Sequence, residues 1–169
     1  MGLENSASER RFIGDDSPIG ACEDMPAPLE RLLELWRQKR AGRRMPARGD
    51  FSVFELAQWL GSLHLIAVER GRFRFSVFAS GAALRFGDEL TGRYLDEARP
   101  PELVRAVSQQ YRQVVREGRP FYKYDHGAFG DRLFAWHKLI CPLSDDGRRV
   151  SQLFVGLDWD GPRDRQRTF

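Results

Sequence analysis

The chain has 169 residues, with 27 Lys+Arg against 24 Asp+Glu, and 41% of its residues are apolar. That composition suits one soluble domain with its own core, and no run approaches the roughly 20 consecutive apolar residues of a membrane helix. The N-terminus lacks the apolar stretch of a secretory signal, and two cysteines, Cys22 and Cys141, are too few for a disulfide framework and have no metal-ligand spacing, so a cytoplasmic protein without a bound metal is expected.

Residues 1–26 hold six acids and two bases, leaving 25 bases against 18 acids on the rest of the chain. Rich in Ser, Gly, Asp and Glu and without hydrophobic period, this stretch reads as a disordered acidic tail. Its opening Met1-Gly2 fits the degenerate pattern for N-myristoylation, which chance also produces. From Pro28 the pattern turns helical: Leu29, Leu32, Leu33 and Trp36 form one apolar stripe, Arg37, Lys39 and Arg40 load the last turn, and Gly42 ends it. Ser52 and Glu55 are spaced as a capping box, with Phe51 placed to staple onto Leu56, which predicts a short helix running to about Leu60.

Two strand-like runs follow, Leu63–Glu69 and Phe73–Ser80, joined by a hairpin turn at Arg70-Gly71-Arg72. Alternation places Phe73, Phe75, Val77 and Ala79 on one face. Residues 81–98 read as short helical turns and loops, and Pro100-Pro101 opens the longest helix, closed by Gly118-Arg119-Pro120. Three further strands are expected at Phe121–His126, Leu133–Pro142 and Gln152–Asp158. This order predicts an α+β domain over residues 27–160, an antiparallel sheet split around a helical insert with N-terminal flanking helices, and a C-terminal tail over 161–169.

Phosphate-binding, dinucleotide-binding, zinc-protease and nucleophile-elbow motifs are all missing, so a noncatalytic protein is expected. The histidines are His64, His126 and His137. Tyr122, Tyr124 and His126 alternate onto one face, offering phenol and imidazole to a cavity or simply covering a core. The alternative is a curved-sheet enzyme of the ketosteroid-isomerase or cyclase kind, with a base among Asp125, His126 and His137. A basic run, Arg37, Lys39, Arg40, Arg43, Arg44 and Arg48, could meet an anionic surface or nucleic acid. It lacks aromatic interleaving and a nucleic-acid module, so a solvated helix end is the expected reading.

Four segments carry a family likeness: Leu35-Trp36 with Arg43-Arg44-Met45-Pro46-Ala47-Arg48, then Arg72-Phe73-Arg74-Phe75, then Phe86-Gly87-Asp88-Glu89-Leu90-Thr91-Gly92-Arg93, and Cys141-Pro142-Leu143-Ser144-Asp145-Asp146-Gly147. In this order and spacing the chain resembles a bacterial family of small stand-alone PAS domains, from about Leu29 to Asp160. The resemblance implies a five-stranded sheet in spatial order 2-1-5-4-3 and a sensor or adaptor role in signal transduction. With nine residues after Asp160, output is expected through noncovalent contacts, either homodimer rearrangement or docking on a protein signalling partner; Leu29, Leu32, Leu33 and Trp36 are the candidate interface, with packing inside their own subunit as the alternative.

The likeness also nominates a small-molecule ligand on the inner sheet face, lined by Phe75, Val77, Phe86, Tyr122, Tyr124, Trp136 and Lys138. The cofactor is open: the reactive cysteine of flavin photosensors has no counterpart, and residues 100–117 contain no histidine to ligate haem. Lys138 is the informative position, because a cation turned inward needs an anionic ligand or a carboxylate partner.

Overall fold

The computed structural model describes residues 10–12, 24–129 and 132–160; Gly2, Cys22 and the stretch 161–169 lie outside them. The elements are β1 (Arg10–Phe12), α1 (Ala27–Arg40), α2 (Val53–Leu56), β2 (Leu63–Glu69), β3 (Arg72–Val77), α3 (Ser80–Phe86), α4 (Pro101–Glu117), β4 (Phe121–Phe129), β5 (Arg132–Leu143) and β6 (Gln152–Trp159). All strands pair antiparallel in one sheet ordered β1-β4-β5-β6-β2-β3. The five long strands, β2 to β6, thus stand in the order 2-1-5-4-3. The sixth, β1, comes from the stretch read as a disordered tail: Arg10–Phe12 pair with Phe121–Lys123, covering what would otherwise be an open edge of β4.

Local chemistry accounts for the boundaries. Glu55 N–H donates to Ser52 Oγ at 3.2 Å and Ser52 N–H to Glu55 Oε2 at 2.9 Å, the reciprocal bonds of a capping box, while Phe51 and Leu56 are buried in one cluster. Arg70 and Gly71 both adopt positive φ, 50° and 78°, which matches the turn to the twist of β2 and β3. Strand β3 stops at Val77, earlier than its apolar alternation suggests. The next two amides leave the ladder for side chains, Phe78 N–H to Thr91 Oγ1 at 3.0 Å and Ala79 N–H to His64 Nδ1 at 2.8 Å. The other edge of β3 is covered by the loop before α4, through Phe75 N–H to Arg93 O and Gly92 N–H to Phe75 O.

The sheet separates two cores. On the outer face α1 lies across β5 and β6, and Leu29, Leu32, Leu33 and Trp36 are buried there with Leu139, Cys141, Leu143 and Phe154. The stripe considered as an interface for a second copy is therefore spent inside the chain. The close approach is made at Gly156, where an added Cβ would stand 2.7 Å from Leu32 Cδ2 and 2.9 Å from Leu29 Cδ2. Both leucines are fully buried, so Gly156→Val is expected to destabilise the fold by about 1–3 kcal/mol through overpacking, measured by urea denaturation. On the inner face, α3 and α4 close a second core around Ile66, Phe73, Tyr111, Val114, Ile140 and Leu153.

Most of the basic run serves this architecture. Lys39 pairs with Glu55 at 2.6 Å and Arg43 with Asp50 at 2.7 Å. Arg44 donates to Glu117 O at the end of α4 at 3.2 Å, where the helix dipole favours a cation. Arg48 donates to Phe51 O at 2.9 Å. No described helix is long and apolar enough to cross a membrane.

Candidate functional site

Between the inner sheet face, α3, the first three turns of α4 and the loop from Asp88 to Arg99 lies a cavity of about 240 Å³. At about 30 Å³ per water it has room for roughly eight waters or one small organic molecule. Its wall is mainly apolar and aromatic, and the aromatic part is tightly organised: the Trp136 and Trp159 ring centroids are 5.2 Å apart, and Phe86 stands edge-on to Trp159 at 5.4 Å. The Arg85 guanidinium lies 4.7 Å from the centre of the Trp159 ring, close enough for a cation–π contact.

Four of the residues nominated from the sequence, Phe75, Phe86, Trp136 and Lys138, line this cavity. Val77, Tyr122 and Tyr124 do not. A bulge shifts the β2–β3 register so that Ile66 faces Phe75 while Leu65 faces Val77. Crossing it turns Val77 to the outer face, where it is 48% exposed. Tyr122 and Tyr124 also stand on the outer face, since their register partners are Leu139 and His137, whereas Lys123 and Asp125 face Lys138 and Trp136 on the cavity side.

At the floor of the cavity the register sets Lys123 directly opposite Lys138. Both are buried, and Asp125 bridges them: Lys123 Nζ is 2.6 Å from Oδ1 and Lys138 Nζ 2.7 Å from Oδ2. Burial opposes the charge on Asp125, but the Lys138 and Lys123 ammoniums outweigh it and hold its carboxyl down at about 2. Burial also lowers Lys138 from the ordinary lysine value, with Asp125 acting in the opposite direction. Lys138 thus does find a carboxylate, but one that it shares with a second lysine.

His64 was missed as a wall residue. It stacks on Phe78 at 4.6 Å, its Nδ1 accepts the Ala79 amide, and burial pulls its pKa to about 3. It is therefore neutral, and because Nδ1 is an acceptor its proton sits on Nε2. Trp159 Nε1 is buried without a hydrogen-bond partner. Neither role has a sequence signal, because both depend on which strand face meets the insert.

The residues considered as a catalytic base do not converge. Asp125 is clamped by two lysines, His126 is exposed, and His137 belongs to the outer face, its Nδ1 2.6 Å from Tyr122 Oη. The Tyr122 hydroxyl also lies 3.0 Å from Asp24 O, His137 Nε2 is 3.7 Å from Asp160 Oδ1, and Tyr124 Oη donates to Asp160 Oδ2 at 2.6 Å. This polar chain joins the segment entering α1 to Asp160, the residue that follows β6. Among the described residues no cluster of three His, Cys, Asp or Glu side chains could hold a metal ion. Burial raises the Cys141 thiol well above its usual range, which leaves it unreactive. Comparison of the chain with protein-family models, curated proteins and solved structures found no match.

Proposed function

We propose that this chain is a PAS-type sensor or adaptor domain that holds a small molecule between sheet and insert and passes the occupancy of that cavity to a protein partner. The observation that carries the reading is the cavity itself, which combines an apolar, aromatic wall with a few placed polar groups, the usual composition of a small-molecule site. Its position supports signalling. Trp159 forms part of the wall, and the next residue, Asp160, is anchored on the opposite face by the Tyr122–His137–Tyr124 cluster that also reaches Asp24. A ligand that displaces Trp159 acts directly on the place where the two flanking segments meet, and contacts made there by a partner or a second copy would differ between the empty and filled states.

Native mass spectrometry of the purified protein is the test. The expected spectrum shows the chain with a bound small molecule that is released on denaturation, and hydrogen exchange at residues 157–160 that quickens when the molecule is removed. A native mass equal to that of the bare chain, together with an unfolding temperature unmoved by a screen of acids, amides and aromatic alcohols of cavity size, overturns the reading.

A further inference from the structure

We infer that the molecule held in the cavity is an amphipathic carboxylate, a compact apolar or aromatic body bearing one acid group that is seated on Lys138. The inference rests on the reading of the cavity as a ligand site and adds the chemical class.

The first observation is a charge imbalance where charge is costly. Like charges directly opposed across strands repel, and burying an ammonium demands compensation. Here two buried lysines share one aspartate, so with both ammoniums protonated the cluster carries one net positive charge. The two lysines look onto different spaces. Lys123 borders a separate polar groove between α4 and β4, together with Gln110, Arg112 and Arg116, while Lys138 borders the cavity.

The second observation is an excess of donors. An ammonium carries three N–H groups, and among the described residues Asp125 is the sole hydrogen-bond or ion-pair partner of Lys138. His64 Nε2–H and the unpartnered Trp159 Nε1–H belong to the same wall. Acceptors are few. Asp88, the wall's carboxylate, is at the exposed rim 3.7 Å from Arg93, and the rim also carries the cation Arg99. A cationic ligand would meet like charge at the floor, and a neutral apolar ligand would leave the buried donors dry. A carboxylate neutralises the residual charge and accepts from the lysine, while its apolar body occupies the space between Phe86, Trp136, Leu103 and Val107.

Calorimetric titration of the full chain at pH 7 tests this with matched probes: 3-phenylpropionate and octanoate against 3-phenylpropionamide and octanamide. The acids are expected to bind at least tenfold more tightly than the amides, and Lys138→Met to bring their affinity down to the amide level while circular dichroism shows an unchanged fold. The comparison on the wild-type chain does not depend on any variant folding. Amides that bind as tightly as the acids overturn the carboxylate class and leave the ligand-binding reading standing. Acid binding that survives Lys138→Met overturns the seat, and a chain that binds neither set overturns the inference together with the reading beneath it.

Discussion

Replacing Asp125 with leucine is expected to lower the unfolding free energy by about 3–5 kcal/mol, whereas Lys138→Met leaves it unchanged or raises it by about 1–4 kcal/mol. The asymmetry follows from the geometry. Asp125 is the shared counter-ion of Lys123 and Lys138, and removing it strands two buried cations face to face. Removing Lys138 leaves Lys123 and Asp125 as a neutral pair and places an unbranched apolar chain of similar length against the aromatic wall. Acidity should reproduce part of the aspartate effect. The folded carboxyl is held at about 2 against a usual value of 3.8. A carboxyl with a depressed folded value contributes stability above its unfolded pKa and loses it as pH falls through the folded one. The contribution, about 2 kcal/mol, is therefore complete above about pH 5 and fades between about pH 4 and pH 2. Urea denaturation followed by tryptophan fluorescence at several pH values reads both effects. An Asp125→Leu variant as stable as the wild type, or a Lys138→Met variant several kcal/mol weaker, would show that the lysines are solvated and the cluster carries no strain.

The fold was legible because its signals are local. The Leu29–Trp36 stripe, the Ser52–Glu55 box, the Arg70-Gly71 turn and the Pro-bounded long helix each depend on neighbours within a few residues, and each appears in place. The candidate site was legible only in part, because it depends on which face of each strand turns inward. One case is a matter of parity, which the observed register fixes. The β4–β5 hairpin pairs residues whose numbers sum to 261, as in Lys123 with Lys138, so odd positions of β4 share a face with even positions of β5. Tyr122 and Tyr124 therefore cannot stand beside Trp136 and Lys138, whatever their chemistry favours. Composition gave no correction, since both faces of β5 are apolar: Phe134, Trp136 and Ile140 on one, Ala135, Leu139 and Cys141 on the other. Val77 is a different kind of case. Its strand alternates without interruption in the sequence, and the bulge that turns it outward is a property of the β2–β3 pairing, invisible from one strand alone.

The inner face of β4 presents Lys123, which the sequence does not single out, and Asp125, which it offers only as a candidate base. Only pairing with β5 buries them and gathers three charges beneath an aromatic cavity. A polar cluster costs stability wherever it is buried, and proteins depart from apolar packing at functional sites in this way. The rest of the inner core is mainly apolar, and the acid group of the proposed ligand would balance the second lysine.

The outer face yields the other large effect. Trp36→Ala is expected to destabilise the chain by about 3–5 kcal/mol, and Trp36→Phe by about 1 kcal/mol. The indole is 2% exposed, stands among Leu32, Leu33 and the outer face of the sheet, and donates from Nε1 to Pro142 O at 2.8 Å. Alanine removes both the volume and the donor, and the surrounding side chains hang on a sheet that cannot collapse into the void. Phenylalanine keeps most of the volume and leaves one buried carbonyl without its partner. The same geometry makes a statement about assembly. Because the apolar stripe of α1 is covered by the chain's own β5 and β6, the alanine penalty should be the same at micromolar and at hundred-micromolar protein. A penalty that grows with concentration and vanishes on dilution would place α1 against a second copy instead, since only an association equilibrium makes the cost of this one side chain depend on concentration.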